Sequence, residues 1–264
     1  MLIVIDVGNT NMVVGAMVGT EVRFRWRIST EARTTDEMGM LMVQMLAHRQ
    51  ITPDQIIGVC ISCVVPSLLY TVMKASRRYL NHEALVIGKG AKTGMKIRMD
   101  NPREVGADRI VNAVAAYEKH RSAVVVIDFG TATTLDCVTL DGEYIGGAIA
   151  PGFRISAEAL FQRTAKLPKV ELEKTKTVIA SNTISAMQGG LYWGYVGLVN
   201  ELAKRSKSEL QERSNCKKEE VRCIATGGLA QLVGQSCTEI EDIDHYLTLR
   251  GLALLFERNR IEGQ

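Results

Sequence analysis

The amino-acid sequence predicts an α/β protein made of two related halves. An apolar run at residues 2–5 ends at Asp6, and Gly8 follows two residues later. The same arrangement returns in the middle of the chain, where the apolar run 123–127 ends at Asp128. Each copy leads into a hairpin-like pair of strands and then into helices. That repetition is typical of two duplicated α/β domains facing each other, and not of one long sheet.

Hydrophobic periodicity and turn residues predict the elements of the first half. Apolar or alternating runs predict strands at residues 2–5, 12–18, 21–28, 56–65 and 85–88. Helical spacing and start signals predict helices from Thr34 onward, from 66 to about 80, and from 106 to 120. Met38, Met42 and Met45 share one face of the first helix, which is the spacing of core packing.

The second half repeats the pattern with longer helices. Strands are predicted at 123–127, 135–140, 144–149 and 221–225, and helices at 155–165, from 183 to about 207, and at 248–258. The charged stretch 204–220 favours a solvated helix end followed by a loop. No low-complexity linker divides the chain, so we expect two closely packed domains, 1–115 and 116–264.

Composition excludes several classes of protein. The chain has 264 residues, 46% of them apolar and 23% charged, and a formal net charge of +3. This charge is too small and too dispersed for a nucleic-acid surface, so no nucleic-acid partner is expected. No apolar run approaches the ~18 residues of a membrane span, so no membrane partner is expected either. The short opening run lacks the basic lead of a signal peptide, which makes a cytoplasmic location the expectation.

The six cysteines are too sparse for a disulfide scaffold. Cys60 and Cys63 form a C-x-x-C pair inside an apolar, strand-like run. No second cysteine pair or nearby histidine completes a zinc site. The pair is therefore expected to consist of small buried hydrophobic side chains.

A strand that ends in Asp-x-Gly suits phosphate binding. The glycine lets the backbone approach a ligand, while backbone N–H groups and neighbouring polar side chains can donate to phosphate oxygens. The aspartate can hold a hydrated Mg²⁺. A plain structural turn has the same composition, so one copy is weak evidence. Two copies, with Thr226-Gly227-Gly228 after a third strand, favour a phosphate-binding cleft, and neither a P-loop nor a G-x-G-x-x-G motif is present.

This three-part pattern resembles the superfamily of acetate and sugar kinases, heat-shock chaperones and actin. The resemblance implies two related actin-like, ribonuclease H-like domains with mixed sheets flanked by helices, and a nucleotide cleft between them. Two loops would grip phosphates, at residues 6–11 and 128–133, and a third at 226–229 would lie near the adenosine.

A second set of motifs is similar to type III pantothenate kinases. The stretch 101–109 (NPREVGADR) resembles their substrate-site signature, and the loops DVGNTN at 6–11 and DFGTAT at 128–133 also match. Gly146-Gly147, the residues 150–152 and Asn182-Thr183 fit as well. The resemblance runs from residue 1 to about 258, essentially the whole chain.

The family resemblance implies transfer of the γ-phosphate of ATP to the primary hydroxyl of pantothenate, the first step towards coenzyme A. Asp108 would be the catalytic base and Arg109 would clamp the pantothenate carboxylate. A helix-start acid and a surface ion pair are the ordinary alternatives for these two residues. The substrate-binding set would comprise Met99, Gly106, Ala107, Asp108, Arg109 and Thr183.

The same resemblance implies the groups that hold ATP and its ions. Asp6 would position Mg²⁺, and Asp128 would bind a monovalent cation, K⁺ or NH₄⁺. The nucleotide-binding set would comprise Asp6, Val7, Gly8, Asn9, Thr10, Asn11, Met12, Val13, Thr131, Gly227 and Gly228.

A homodimer is also implied, in which Thr183 can reach the partner's substrate, although Asn182-Thr183 is equally suited to be a helix N-terminus. Gly189, Gly190, Gly194 and Gly197 fall on a predicted helix, where glycine is unfavourable, and this favours close packing across a dimer interface.

Two alternatives remain open at this stage. Many relatives carry a tyrosine at the position of Met99, so one substrate contact differs and a kinase for another small hydroxyl compound is possible. The other alternative is a non-enzymatic nucleotide-binding regulator, which the intact set of Asp6, Asp108 and Asp128 argues against. A polymerising actin-like ATPase is disfavoured because a chain of this length lacks room for the extra subdomains.

Overall fold

The structure is a computed structural model that describes residues 1–88 and 90–261. These residues form two compact units. The first unit comprises the described residues of 1–94, 101–115 and 246–264, and the second comprises 95–100 and 116–245. The strands are β1 (Leu2–Val7), β2 (Asn11–Val18), β3 (Glu21–Ser29), β4 (Gly58–Cys63), β5 (Ala84–Val86), β6 (Lys96–Ile97), β7 (Ala123–Phe129), β8 (Ala132–Val138), β9 (Glu143–Pro151), β10 (Val221–Thr226) and β11 (Asp242–Ile243). The helices are α1 (Thr35–Ala47), α2 (Pro66–Leu80), α3 (Ala107–His120), α4 (Phe153–Gln162), α5 (Thr183–Ser214) and α6 (Leu247–Ile261).

The first unit is built on a mixed sheet in the order β3-β2-β1-β4-β5. β1 pairs antiparallel with β2 and parallel with β4, so it lies at the centre. Ile3, Ile5 and Val7 form a core on one face with the buried side chains of α1 and α2. On the other face, α6 fills gaps left by two glycines. A Cβ at Gly15 would lie 3.1 Å from Leu249, and one at Gly58 would collide with the ring of Phe256.

The local sequence explains where α1 begins. The backbone N–H of Glu37 donates to the Thr34 hydroxyl at 3.3 Å, and the N–H of Thr34 donates back to the Glu37 carboxylate at 2.7 Å. This reciprocal pair is a capping box. Met38 and Met42 are buried in the core, as their helical spacing predicts.

The second unit repeats the plan on a sheet ordered β11-β10-β7-β8-β9-β6. β7 occupies the place that β1 has in the first unit. It is paired antiparallel with the hairpin strand β8 and parallel with β10. Phe153, Tyr192 and Tyr195 from α4 and α5 join the core on one face of this sheet. Both units therefore have a central strand with a hairpin on one side and a parallel strand on the other.

The units correct the expected domain ranges 1–115 and 116–264 in two places. Residues 246–261 belong to the first unit because α6 packs on its sheet. Residues 95–100 belong to the second unit because β6 pairs parallel with β9. The packing of α6 on the first sheet and the pairing of β6 with β9 join residues far apart in the chain, so the local sequence does not predict them.

The long helix α5 also extends beyond its expected end. It runs to Ser214, through most of the stretch expected to be a helix end and loop. The Arg205–Glu201 pair, with nitrogen and oxygen 2.6 Å apart, has the i,i+4 spacing that supports an exposed helix. Asn215 ends the helix in the left-handed conformation.

Cys60 is fully buried in β4, and burial raises the pKa of its thiol to about 12. Cys63 is half-buried, and its thiol donates to the Val65 carbonyl at 3.2 Å. Both cysteines therefore pack as small apolar side chains at the positions expected for a strand.

Among residues 1–88 and 90–261, no helix combines the length and the apolar character needed to cross a membrane.

Candidate active site

In the first unit, the loop between β1 and β2 follows Asp6 directly. Asp6 is half-buried near the carboxyl end of the central strand. The Gly8 N–H donates to the Asn11 carbonyl at 3.1 Å, which closes a tight turn. The Thr30 hydroxyl donates to the Gly8 carbonyl at 2.7 Å and fixes the turn against the end of β3. The turn leaves Asn9 exposed, and an exposed amide at a loop can donate to a phosphate oxygen.

Not every residue of the predicted nucleotide-binding set presents its side chain at this loop. Asn9 and Thr10 are exposed, and Asn11 and Val13 are half-buried. Val7 and Met12 are fully buried in the core of the unit. Only the backbone of Val7 and Met12 is therefore available to a ligand.

Asp108 lies in the first turn of α3. Its carboxylate accepts the backbone N–H of Arg109 at 2.8 Å. A Cβ at Gly106 would lie 2.5 Å from the carboxylate oxygen Oδ1 of Asp108. A larger residue at position 106 would therefore displace the Asp108 carboxylate from this position.

Burial raises the pKa of Asp108 above the ordinary value of an aspartate, although the Arg109 N–H and charge oppose the shift. Burial penalises the charged form of a carboxyl group. A carboxylate with a raised pKa is a stronger proton acceptor, and this is the property that a general base needs.

The loop that precedes α3 comes to the carboxyl edge of the first sheet. A Cβ at Gly106 would lie 3.7 Å from the side chain of Val64, the residue that follows β4. β4 is the parallel neighbour of β1. Asp6 and the Gly106–Arg109 motif, widely separated in sequence, therefore lie at the same edge of this sheet.

In the second unit, Asp128 lies against the third glycine-containing loop. Parallel pairing places Thr226 of β10 opposite Asp128 of β7. Gly227 follows with φ +94°, and a Cβ there would collide with the Asp128 carboxylate and lie 2.7 Å from the backbone of Phe129. The loops at 128–133 and 226–229 therefore lie in contact.

The loop after Asp128 is fixed from two sides. Gly152 packs on the backbone of Gly130 and Thr131, where a Cβ would collide with the Thr131 carbonyl. Thr133 is buried, and its hydroxyl shares a hydrogen bond with the Tyr195 hydroxyl. Thr131 itself is exposed. The loop is thus rigid at its base and open at its tip.

Met99 and Thr183 also belong to the second unit. Met99 follows β6, and a Cβ at Gly146 (φ +104°) would lie 3.0 Å from its sulfur. Asn182 caps α5 by accepting the Ser185 N–H at 2.9 Å, which confirms its N-terminal capping role. Thr183 is exposed in the first turn of that helix.

Two buried polar side chains near these loops were not predicted. Asp136 is fully buried in β8 and accepts from the Tyr144 hydroxyl at 2.6 Å and the Thr134 hydroxyl at 3.1 Å. Ser62 is fully buried in β4, opposite Asp6 in β1. In both cases the available signal was a polar residue inside an otherwise apolar strand.

Oxygen donors dominate the candidate ion sites. The described ranges contain no cluster of three or more His, Cys, Asp or Glu side chains arranged for a metal. Mg²⁺ needs no such cluster, because it keeps several waters and binds one or two carboxylates together with phosphates. Asp6 at its exposed loop fits that pattern. Asp128, with an oxygen beside the Gly227 backbone, offers hard oxygen ligands to a cation.

A separate cavity of about 290 Å³ in the second unit is lined by Lys119, His120, Arg222, Ile224, Glu241 and Asp242. Its walls carry ion pairs such as Arg222–Glu241, whose nitrogen and oxygen are 3.0 Å apart. None of the predicted site residues lines this cavity.

Comparison with known proteins decides the family. A family model described as type III pantothenate kinase matches residues 2–205. The chain belongs to the type III pantothenate kinase family. A type III pantothenate kinase of Geobacter sulfurreducens is 53% identical over 98% of this chain and 100% of its own length. The corresponding protein of Geotalea daltonii is 51% identical over 98% of this chain and 99% of its own length.

A solved structure supports the fold of this pantothenate kinase family member. The activator of the 2-hydroxyisocaproyl-CoA dehydratase from Clostridium difficile, with bound ADPNP, matches with a TM-score of 0.53 and 13% identity. The match covers 99% of this chain and 96% of that chain. The predicted fold class, α/β with mixed sheets flanked by helices, is confirmed.

Proposed function

We propose that this protein transfers the γ-phosphate of ATP to the primary hydroxyl of pantothenate, giving 4′-phosphopantothenate in the first step of coenzyme A biosynthesis. The observation that carries the proposal is the identity of 53% to a type III pantothenate kinase along essentially the whole chain. The Gly106–Arg109 motif at the edge of the first sheet supports it. The substrate is a small molecule, and the reaction belongs in the cytoplasm, where ATP is available.

Asp108 acts as the general base in this proposal. The pantothenate hydroxyl loses its proton to the Asp108 carboxylate as its oxygen bonds to the γ-phosphorus, and the bond to ADP breaks. The raised pKa of Asp108 suits that role. Arg109, half-buried beside it, supplies the fork of N–H donors that binds the pantothenate carboxylate.

Nucleotide-binding residues are assigned to each unit separately. In the first unit, Asp6 would hold Mg²⁺, and the turn at Gly8–Asn11 would donate to phosphate oxygens. In the second unit, Thr131 and the Gly227-Gly228 loop would bind ATP. Phosphoryl transfer depends mainly on positioning and on neutralising charge, so donors and cations are the main requirement.

Asp128 binds the monovalent cation, K⁺ or NH₄⁺, in this proposal. Added positive charge near the phosphates serves a site that has no P-loop lysine. When bound, the cation neutralises negative charge on the phosphates.

Replacing Asp128 with alanine is expected to weaken or abolish the dependence of the rate on K⁺, because the carboxylate that holds the cation is lost. The measurement is the initial rate at increasing K⁺ with ionic strength held constant by a larger organic cation. Asp141→Ala, in an exposed turn of the same unit, is the matched control. An unchanged K⁺ response in Asp128→Ala would move the cation site elsewhere.

A homodimer formed through α5 completes the proposal. Gly189 packs within the chain, where a Cβ would lie 3.0 Å from the Val178 carbonyl. A Cβ at Gly190, Gly194 or Gly197 would meet no atom of the described residues within 4 Å. Exposed apolar side chains, Ile184 and Leu198, flank these glycines on α5. Small residues beside exposed apolar ones allow a second helix to approach closely.

Sedimentation equilibrium at micromolar concentration is expected to give a dimer, and Gly194→Glu is expected to give a folded monomer. Glutamate is a better helix former than glycine, and a Cβ at Gly194 lies more than 4 Å from the described neighbours, so the fold should be retained. The charged side chain would obstruct a partner helix. A monomeric wild-type protein would overturn the dimer proposal.

An ADP-release assay with ATP, Mg²⁺ and pantothenate tests the function, run once with K⁺ and once with Na⁺ alone. Turnover that requires both pantothenate and K⁺ or NH₄⁺ supports the proposal. ATP binding without turnover would favour a kinase for another small hydroxyl compound or a nucleotide-binding regulator. Met99, where many relatives have tyrosine, favours the kinase for another small hydroxyl compound over the regulator. A screen of small hydroxyl compounds would then identify the substrate.

A further inference from the structure

Ser62 is a buried polar residue of the first unit that the proposed mechanism does not use. It lies in the apolar strand β4 with 0% of its surface exposed. Its hydroxyl has no hydrogen-bond partner within residues 1–88 and 90–261. A buried hydroxyl without a partner costs folding free energy, which alanine at the same position would avoid. Sites that break such a rule are expected to be functional.

The sheet register places Ser62 beside Asp6. The two residues are Cα partners in the parallel pair β1–β4. Partners in register point to the same face of a sheet, so the Ser62 hydroxyl and the Asp6 carboxylate lie on one face. Two residues further along the chain, Val64 touches the loop at Gly106 that leads to Asp108. Ser62 is thus at the edge where Asp6 and the substrate motif lie.

The sheet face that carries Ser62 and Asp6 is covered by a helix and lies in the interior of the unit. α6 covers it, with Leu249 against Gly15 and Phe256 against Gly58. Val4 and Cys60, the preceding residues on the same face, are fully buried. In such a dry environment a hydrogen bond from a hydroxyl to a carboxylate is stronger than at the surface.

We propose that Ser62 is a positioning residue for Asp6: its hydroxyl donates to the Asp6 carboxylate when that carboxylate holds the Mg²⁺–nucleotide complex. The inference rests on the proposed ATP and Mg²⁺ binding at Asp6. A hydroxyl can rotate to offer its proton to one carboxylate oxygen while the other oxygen faces the ion. A donor behind a metal-binding carboxylate fixes its orientation and improves metal affinity.

The test measures metal affinity separately from catalysis. Mn²⁺ replaces Mg²⁺ so that binding can be followed by electron paramagnetic resonance, with a non-hydrolysable ATP analogue and no pantothenate. Ser62→Ala is expected to weaken Mn²⁺ affinity in the presence of the analogue by about tenfold. Affinity for the analogue without metal should remain unchanged. The metal-free variant should melt at a higher temperature than the wild type because the unpartnered hydroxyl is gone.

Ser76→Ala is the matched control. Ser76 is equally buried, but its hydroxyl donates to the Val72 carbonyl at 2.9 Å within α2. It should leave Mn²⁺ affinity unchanged. Ser62→Cys, which keeps the size and a weaker donor, should give an intermediate affinity.

Three outcomes are informative. Weaker Mn²⁺ affinity in Ser62→Ala with a raised melting temperature supports the proposal. A raised melting temperature with wild-type Mn²⁺ affinity overturns it and leaves Ser62 as a tolerated buried hydroxyl. If the wild-type protein binds no Mn²⁺ with the analogue, the ATP–Mg²⁺ part of the proposed function fails together with the inference.

Discussion

Asp108→Asn is expected to lower kcat by ~10²-fold or more while ATP binding and the fold are retained, because asparagine cannot accept the proton of the attacking hydroxyl. The amide preserves the shape of the side chain and can still accept the Arg109 N–H that the carboxylate accepts at 2.8 Å. The measurement is kcat for pantothenate together with calorimetric titration of ATP. Asp100→Asn, a change at an exposed carboxylate close by in sequence, is the control.

The pH dependence should follow from the raised pKa of Asp108. The wild-type rate is expected to fall as the pH drops through a value above the ordinary ~3.9 of an aspartate, since the protonated carboxyl is no base. Asp108→Asn should lack this acid limb. Near-normal turnover in the variant, or an acid limb unchanged by it, would exclude Asp108 as the base.

The same substitution should not destabilise the protein. Because its pKa is raised, folded Asp108 binds its proton more tightly than the unfolded chain does. Its contribution to stability is complete below the unfolded pKa and is lost as the pH rises through the folded pKa. At neutral pH the buried Asp108 carboxylate is ionised, and its burial then lowers the free energy of unfolding. Asp108→Asn removes this charge, so the Tm of the variant should equal or exceed that of the wild type. A marked fall in Tm would indicate a structural role for the carboxylate.

Gly227→Ala is expected to destabilise the protein by about 3 kcal/mol or more. Two effects add: the backbone has φ +94°, and the new Cβ would lie 2.7 Å from the backbone nitrogen and carbon of Phe129. It would also push against the Asp128 carboxylate. The measurement is the free energy of unfolding in urea, together with the K⁺ dependence of the rate.

Gly88→Ala is the control for the general effect of replacing a glycine with alanine, without close packing against a neighbouring loop. Gly88 is exposed, and within the described part of the chain a Cβ there would meet nothing within 4 Å. This change should alter the free energy of unfolding by less than about 0.5 kcal/mol. If Gly227→Ala were equally mild, the close packing of the two loops would not constrain the site.

The fold could be predicted because its main signals are local. Strand–Asp–x–Gly units at Asp6 and Asp128 mark the two central strands, and hairpin turns such as Asp141-Gly142 fix their neighbours. The assignment of α6 could not be predicted. Its apolar spacing indicates a helix, but which sheet it covers depends on the gaps at Gly15 and Gly58, far away in the chain.

Part of the candidate site could be predicted because its motifs are also local in the sequence. Asp108 stands in a long motif that the sequence displays directly. The position of Ser62 opposite Asp6 depends on the register of β1 with β4, and the position of Gly227 against Asp128 depends on the register of β7 with β10. Pairing between strands that are distant in sequence is set by the folded sheet, so a linear pattern does not contain it.

The path of the chain between the units has a consequence for how this protein can be divided. The chain passes from one unit to the other after residues 94, 100, 115 and 245. Most of the second unit, residues 116–245, is therefore an insertion into the first unit, which begins within α3 and ends just before α6. A fragment that ends at residue 115 would lack α6 and expose the apolar face with Val4 and Cys60. No single cleavage point yields two autonomous halves, and the last helix is as necessary to the amino-terminal sheet as the first strand.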